Sequence, residues 1–271
     1  LFCSAIFLPL ILLSQDTRVL DGSIFHVGSG GWEMHRWILL KSMIVLLSWV
    51  FGYFAIAHLP LTIVGPVNAT RPVMMLVGAM AVFGERLNGW QWAGVVLAVV
   101  SLFLLARSGR KEGIDFSHNK WICFLVLAAL MGTCSGLLDK YLMASPENGG
   151  VGLDRMMAQS WYNIYQCLMM AAVFIIYKVR RHGSKAAHTS FKWKWSVLLI
   201  SLFLSMADFA YFYALSMPGA MISIVSMVRR GSVIVSFLCG ALLFREKNLK
   251  AKAIDLCFVL LGMICLWIGS Y

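Results

Sequence analysis

The sequence predicts an all-α protein that crosses a membrane several times, and three observations lead to this prediction. The chain is 60% hydrophobic and 13% charged, whereas an ordinary soluble domain has about 25% charged residues. Its mean hydropathy is +0.80. Its apolar residues fall in runs of about 20, the length that a helix needs to cross the hydrocarbon core. Because lipid offers no partner to backbone polar groups, such runs form helices.

Nine apolar spans can be read along the chain. In order, they cover roughly residues 1–14, 37–59, 60–84, 90–106, 121–143, 156–177, 195–217, 218–244 and 253–270. The first span reaches only about 21 Å at 1.5 Å per residue, which is short for a hydrocarbon core of about 30 Å. We therefore expect the natural start of the protein to lie upstream of Leu1.

Enzyme chemistry is not indicated by any motif in the sequence. The seven cysteines all lie within apolar spans and form no CxxC pair, which is typical of buried reduced thiols. The six histidines have no metal-ligand spacing, and no HExxH motif is present. We expect a protein that is not an enzyme and that has no metal and no cofactor.

The positive charge is concentrated in alternate loops. The net charge is +11, and loops of one parity carry fourteen lysines and arginines against four in the others. The positive-inside rule places the first set, including the 178–194 loop, in the cytoplasm and the C-terminus outside. The charge therefore indicates topology and contact with membrane lipids, with no nucleic-acid partner.

An internal repeat relates the two halves of the chain. The segment FGYFAIAHLP at residues 51–60 matches FAYFYALSMP at residues 209–218. The similarity covers residues 37–106 in the first half and residues 195–268 in the second half. The copies are offset by five helices, an odd number, which inverts the second relative to the first. Inverted repeats are typical of secondary transporters. We predict two inverted five-helix repeats, with ten helices in full and about nine present here.

The sequence features that the two halves share also resemble those of a known protein family. The helix starts at Pro60 and Pro218 and the turns at Glu85 and Glu246 resemble those of the EamA family of the drug/metabolite transporter superfamily. The resemblance implies a first repeat at 1–110, a cytoplasmic linker at 111–120 and a second repeat at 121–271. It also implies a multi-pass protein of the cell (inner) membrane, monomeric or homodimeric, that moves a small-molecule solute.

Three arginines and one acid interrupt the apolar spans at mid-depth. These residues are Arg71, Arg229, Arg230 and Asp208. A charge at the bilayer centre costs roughly 2.5–3.5 kcal/mol on insertion scales, so it needs a structural or a functional reason. The structural alternative is pairing with Asp208 and with carbonyls freed by Pro66 and Pro72. The functional alternative is a wet cavity that binds an anion.

A second resemblance favours the anion. The segment VRRGSVIVSF, from Val228, is similar to the part of plastid phosphate translocators in which two adjacent basic residues precede an apolar run. The resemblance implies that Arg229 and Arg230 hold the solute together with Arg71. We therefore expect a secondary transporter or exchanger of an anionic, phosphorylated or carboxylated metabolite. The alternative is an EamA-type exporter of amino acids or other small metabolites.

Further polar residues complete the predicted solute site. Gln159, Asn163 and Gln166 recur on one helical face beside Tyr162. Such a stripe either lines a cavity or bonds a neighbouring helix. Tyr211 could wall the same cavity. Lys41 and Asp139 lie near span ends, where snorkelling to the interface is the ordinary explanation.

Overall fold

The computed structural model describes most of the chain. The described residues are 2–16, 20, 22–59, 63–64, 67–68, 70–83, 88–111, 119–180, 195–217, 225, 229 and 249–269. Several sequence predictions lie outside this set, and they concern Arg230, Pro60, Pro218, Glu85, Glu246 and nearly all of the 178–194 loop.

The described residues form eight α-helices, and the all-α prediction is confirmed. They are α1 (Phe2–Asp16), α2 (Trp32–His58), α3 (Arg71–Phe83), α4 (Gly89–Lys111), α5 (Lys120–Met143), α6 (Arg155–Arg180), α7 (Trp195–Leu215) and α8 (Leu249–Ile268). A short 3-10 helix, Pro146–Asn148, precedes α6. No strand occurs in this part of the chain. The bounds lie within a few residues of eight of the nine predicted spans, except at the start of α3.

Three of these helices are long and apolar enough to cross a bilayer. They are α2, α5 and α7, whose mean hydropathies are 1.9, 2.1 and 1.8 over their most apolar windows. Much of their apolar surface points away from the protein: Ile200 and Phe203 of α7 are 65% and 64% exposed. Lipid can cover such a surface, whereas water would penalise it. The protein is thus a polytopic integral membrane protein.

The helices group into two compact units. Unit 1 comprises Leu1–Leu46 and Tyr141–Met217, and unit 2 comprises Leu47–Lys140 and Pro218–Tyr271. In unit 1, α1 packs on α6 and α7. In unit 2, α8 packs along α4, and these are the last helices of the two predicted repeats. Because this grouping follows contacts in space, it does not test the repeat boundaries, which stay a prediction.

The predicted span 60–84 is not one continuous helix. A turn at Thr70 separates the helical residues 67–68 from α3, and the Thr70 hydroxyl donates a hydrogen bond to the Val67 carbonyl at 2.7 Å. The Thr70 carbonyl accepts from the N–H groups of Val73 and Met74, which starts the new helix. Arg71 therefore lies at the first position of a helix, where the prediction placed it at the centre of one.

The snorkelling prediction for Lys41 and Asp139 is wrong. Both side chains are buried, at 3% and 4% exposure. Lys41 is the tenth residue of α2, more than two turns from its start, and its ammonium lies over aromatic rings of unit 1. A lysine that reached the interface would leave its ammonium in water.

The start of α6 is fixed by an aspartate. Asp154 Oδ2 accepts hydrogen bonds from the backbone N–H of Met157 at 2.8 Å and from that of Gly28 at 3.3 Å. The first contact caps the helix, since early helical N–H groups have no partner within the helix. The second contact attaches the loop before α2 to the same helix end.

Replacing Asp154 with alanine is expected to lower the free energy of unfolding by about 1–2 kcal/mol, because both N–H groups lose their acceptor. Thermal unfolding of the purified protein in detergent measures the loss. Asp154→Asn keeps an acceptor oxygen and should recover most of the stability. Equal unfolding temperatures for the wild type and Asp154→Ala would contradict the cap.

Candidate functional site

In unit 2, the side chain of Arg71 leaves the start of α3 and lies against α5. Its Nη2 donates a hydrogen bond to the backbone carbonyl of Ala128 at 3.1 Å. The same carbonyl accepts from the Ser48 hydroxyl at 2.8 Å. Arg71 thus bonds to a helical carbonyl of α5.

Gly132 makes room for the guanidinium group of Arg71. A Cβ atom built on Gly132 would lie 2.6 Å from Nη1 and 2.8 Å from Cζ of Arg71. Non-bonded heavy atoms do not approach so closely without a shift. Gly132 and Gly136 are four positions apart, the spacing of a small-residue helix-packing face. The structure gives it a more specific role, which is to accommodate an arginine.

One donor of Arg71 has no partner in the described part of the chain. Its Nε is buried and makes no hydrogen bond there. A guanidinium carries five N–H donors in a fixed fork that suits carboxylate or phosphate. The hydrogen bond described for Arg71 therefore accounts for only part of its donors.

A second arginine of unit 2 lies close enough to Arg71 for the two positive charges to repel each other. It is Arg229, a helical residue with an exposed side chain. The two residues come from the spans that correspond in the predicted repeats. Bringing two like charges together at membrane depth costs free energy, and an anion bound beside them would offset that cost.

In unit 1, a buried polar stripe runs along α6. Gln159 Nε2 donates to the Ser205 carbonyl of α7 at 3.1 Å, and Gln166 Nε2 donates to the Ser42 carbonyl of α2 at 3.1 Å. These two contacts are bonds to neighbouring helices, which is one of the two alternatives left open for the stripe. The glutamines bond neighbouring helices through nitrogen, while their Oε1 atoms are buried without a hydrogen bond among the described residues.

Lys41 of α2 contacts aromatic side chains of α6 and α7 in unit 1. Its Nζ lies 4.0 Å from the centre of the Phe212 ring and 4.8 Å from that of Tyr162. Such contacts attract a cation to the ring face. Sequence reasoning missed this residue because its position near a span end permits snorkelling. The aromatic residues of the stripe and of α7 were the sequence signal from which a buried position of Lys41 could have been predicted.

The remaining predicted site residues that the structure describes also lie in unit 1. Asn163 Nδ2 donates to the Gln159 carbonyl at 2.9 Å, and the Asn163 carbonyl accepts from the Ser4 hydroxyl of α1. The Asn163 side chain therefore bonds within its own helix. Tyr211 is buried and contacts the ring of Phe212. Asp208 is half-buried on α7, in the unit that contains neither Arg71 nor Arg229.

Three comparisons with known proteins bear on these observations. Residues 1–107 match the model described as the EamA-like transporter family, so the predicted resemblance is confirmed over that part of the chain. A segment of 69 residues is 26% identical to the probable 4-amino-4-deoxy-L-arabinose-phosphoundecaprenol flippase subunit ArnE of Pectobacterium atrosepticum. It covers 26% of this chain and 61% of that protein.

A solved crystal structure has a similar fold. It superposes with a TM-score of 0.65 and 12% sequence identity, over 99% of this chain and 84% of the other. At this identity the likeness concerns the fold alone. The helical arrangement is therefore one that occurs in a solved protein.

Proposed function

We propose, from the match of residues 1–107 to the EamA-like transporter family, that this chain is a secondary transporter or exchanger of a small organic anion. The proposal includes the cell (inner) membrane as its location. The sequence has no nucleotide-binding loop, so a solute gradient or exchange would drive the movement.

The anionic solute is proposed from a guanidinium group, that of Arg71, which is buried and is also repelled by the positive charge of Arg229 in unit 2. Arg71 keeps a buried Nε without a hydrogen bond in the described residues. A carboxylate or phosphate oxygen would satisfy that donor and reduce the repulsion between the two guanidinium groups. Arg71 also stands at the first turn of α3, where helix N–H groups favour negative charge.

The name of the curated relative motivates a phosphate-bearing solute. It includes a phosphoundecaprenol, a molecule that bears a phosphate group. The match spans 61% of that relative's length, so a phosphate-bearing solute is a proposal for this chain. Arg230, next to Arg229, would add a third guanidinium to the same binding role.

Ligand protection against heat tests the proposed solute class. We expect phosphorylated or dicarboxylic metabolites, such as 3-phosphoglycerate and malate, to raise the unfolding temperature of the purified protein. The effect should weaken at high salt, because mobile ions screen charge attraction over about 10 Å at 0.1 M. Neutral amino acids serve as the matched zwitterionic ligands. If only zwitterions or organic cations protect, the anionic class is wrong and amino-acid export becomes the better proposal.

A further inference from the structure

Unit 1 contains a second cluster of buried polar groups, apart from the arginines of unit 2. It lies where α2, α6 and α7 meet, and we call it the three-helix cluster. Its members are Lys41, Gln159, Tyr162, Gln166, Ser205 and Phe212. All six side chains are buried.

Three oxygen atoms of the three-helix cluster lack a hydrogen bond in the described part of the chain. They are Oε1 of Gln159, Oε1 of Gln166 and Oγ of Ser205. Their residues are 1%, 6% and 7% exposed. A buried polar atom without a partner costs about 1–3 kcal/mol. Each of the three atoms can therefore take a hydrogen bond from a bound molecule.

The orientation of both glutamines is set by their nitrogen atoms. Each amide nitrogen donates to a backbone carbonyl of a neighbouring helix, so each oxygen is directed elsewhere as an acceptor. The two residues are seven positions apart on α6, which places them about 10 Å apart along one face. Tyr162 lies between them on that face and carries the Lys41 ammonium against its ring.

The charges of the cluster narrow the class of ligand. Amide oxygens accept hydrogen bonds and repel an anion, so an anion does not fit them. The Lys41 ammonium already occupies the faces of the Tyr162 and Phe212 rings, so these rings do not offer a site for a second cation. A hydroxyl group fits best, because it can donate to the glutamine oxygens and either donate to or accept from Ser205.

We propose that the three-helix cluster is a binding site for an uncharged hydroxyl-bearing ligand, of the polyol or sugar class. The hydroxyls donate to Gln159 Oε1 and Gln166 Oε1, and a further hydroxyl meets Ser205 Oγ. The ligand is either a free polyol or the hydroxylated headgroup of a lipid. This site goes beyond the proposed anion transport, since it needs neither Arg71 nor Arg229.

The decisive variant is Ser205→Ala, because it separates a ligand site from a packing defect. Removing an unpartnered buried hydroxyl should leave the unfolding temperature of the ligand-free protein unchanged or higher. The same change should weaken hydroxyl binding about fivefold, as expected for one lost neutral hydrogen bond. Ser101→Ala is the matched control, since the Ser101 hydroxyl in unit 2 is also buried and also lacks a described partner.

Binding is measured on the full chain in nanodiscs by saturation-transfer NMR with two probes, methyl β-glucoside and octyl β-glucoside below its micelle concentration. We expect at least one probe to bind, with binding weakened by Ser205→Ala and by Gln166→Leu but not by Ser101→Ala or Arg71→Gln. Binding of both probes indicates a free polyol, and binding of octyl glucoside alone indicates a lipid headgroup. Retention in Arg71→Gln separates this site from the proposed anion site.

Two results would overturn the proposal. In the first, neither glucoside binds, or each glucoside binds to Ser205→Ala as tightly as to the wild type. The three oxygen atoms are then satisfied by buried water. In the second, choline or inorganic phosphate competes with the glucosides and Ser205→Ala affects the charged probe in the same way. The cluster would then be a site for ions.

Discussion

Arg71→Gln is expected to abolish transport while leaving a folded protein. Glutamine keeps a donor near the Ala128 carbonyl but removes the charge and the fork of N–H groups that an anion would bind. Truncating one partner of a buried charged hydrogen bond costs about 2–5 kcal/mol, so the affinity for the anion should fall at least about 30-fold. Uptake into proteoliposomes measures the loss, and thermal unfolding checks the fold.

Arg71→Lys is the matched control for charge. It keeps the positive charge but lacks the planar fork, so it should retain weak transport with a raised KM. Arg229→Gln tests the neighbouring guanidinium and should lose transport in the same way. Transport at the wild-type rate by Arg71→Gln would show that the arginine serves packing alone. Unfolding of every Arg71 and Arg229 variant would also favour the structural alternative.

Gly132→Ala is expected to reduce transport strongly although it changes no charged residue. The added Cβ would lie 2.6 Å from Nη1 of Arg71. The added Cβ meets the end of the flexible Arg71 side chain. The guanidinium group therefore moves, while helices α3 and α5 keep their positions. Overpacking costs about 1–3 kcal/mol, and the better helix propensity of alanine returns about 1 kcal/mol. The free energy of unfolding should therefore fall by only about 0–2 kcal/mol, while the position of Arg71 is lost.

Gly52→Ala is the matched control for Gly132→Ala. A Cβ built on Gly52 would lie 3.8 Å from the Ala128 Cβ, an ordinary contact, so transport and unfolding temperature should stay near wild type. The double variant Gly132→Ala, Arg71→Gln should be no worse than Arg71→Gln, because both changes act through the same side chain. Independent, additive losses would contradict the role of Gly132 in placing Arg71.

The helices of this protein were predictable from sequence because lipid allows so few backbone arrangements. A run such as Trp195–Leu215 has one stable form at membrane depth, and its bounds follow from where the apolar residues end. Arg71 and Arg229 could be named for a related reason. An arginine within an apolar run is costly, and its presence marks the residue without any knowledge of its neighbours.

The contacts of those residues were not predictable, because they depend on neighbours distant in sequence. Nothing local to Gly132 indicates that Arg71 lies against it. Lys41 was misplaced for the same reason, since burial over the rings of Tyr162 and Phe212 requires three helices to meet. The turn at Thr70 was predictable only in part. Pro66 and Pro72 predicted a disturbed backbone, but not the position of the break.

Counterflow in proteoliposomes tests the central claim most directly. Vesicles with the full chain are loaded with an unlabelled anion, 3-phosphoglycerate or malate, and uptake of the same labelled anion is followed. The account predicts rapid uptake that depends on the loaded anion, is inhibited by high salt, and is lost in Arg71→Gln but kept in Gly52→Ala. Uptake of labelled amino acids or organic cations alone, unaffected by Arg71→Gln, would contradict it.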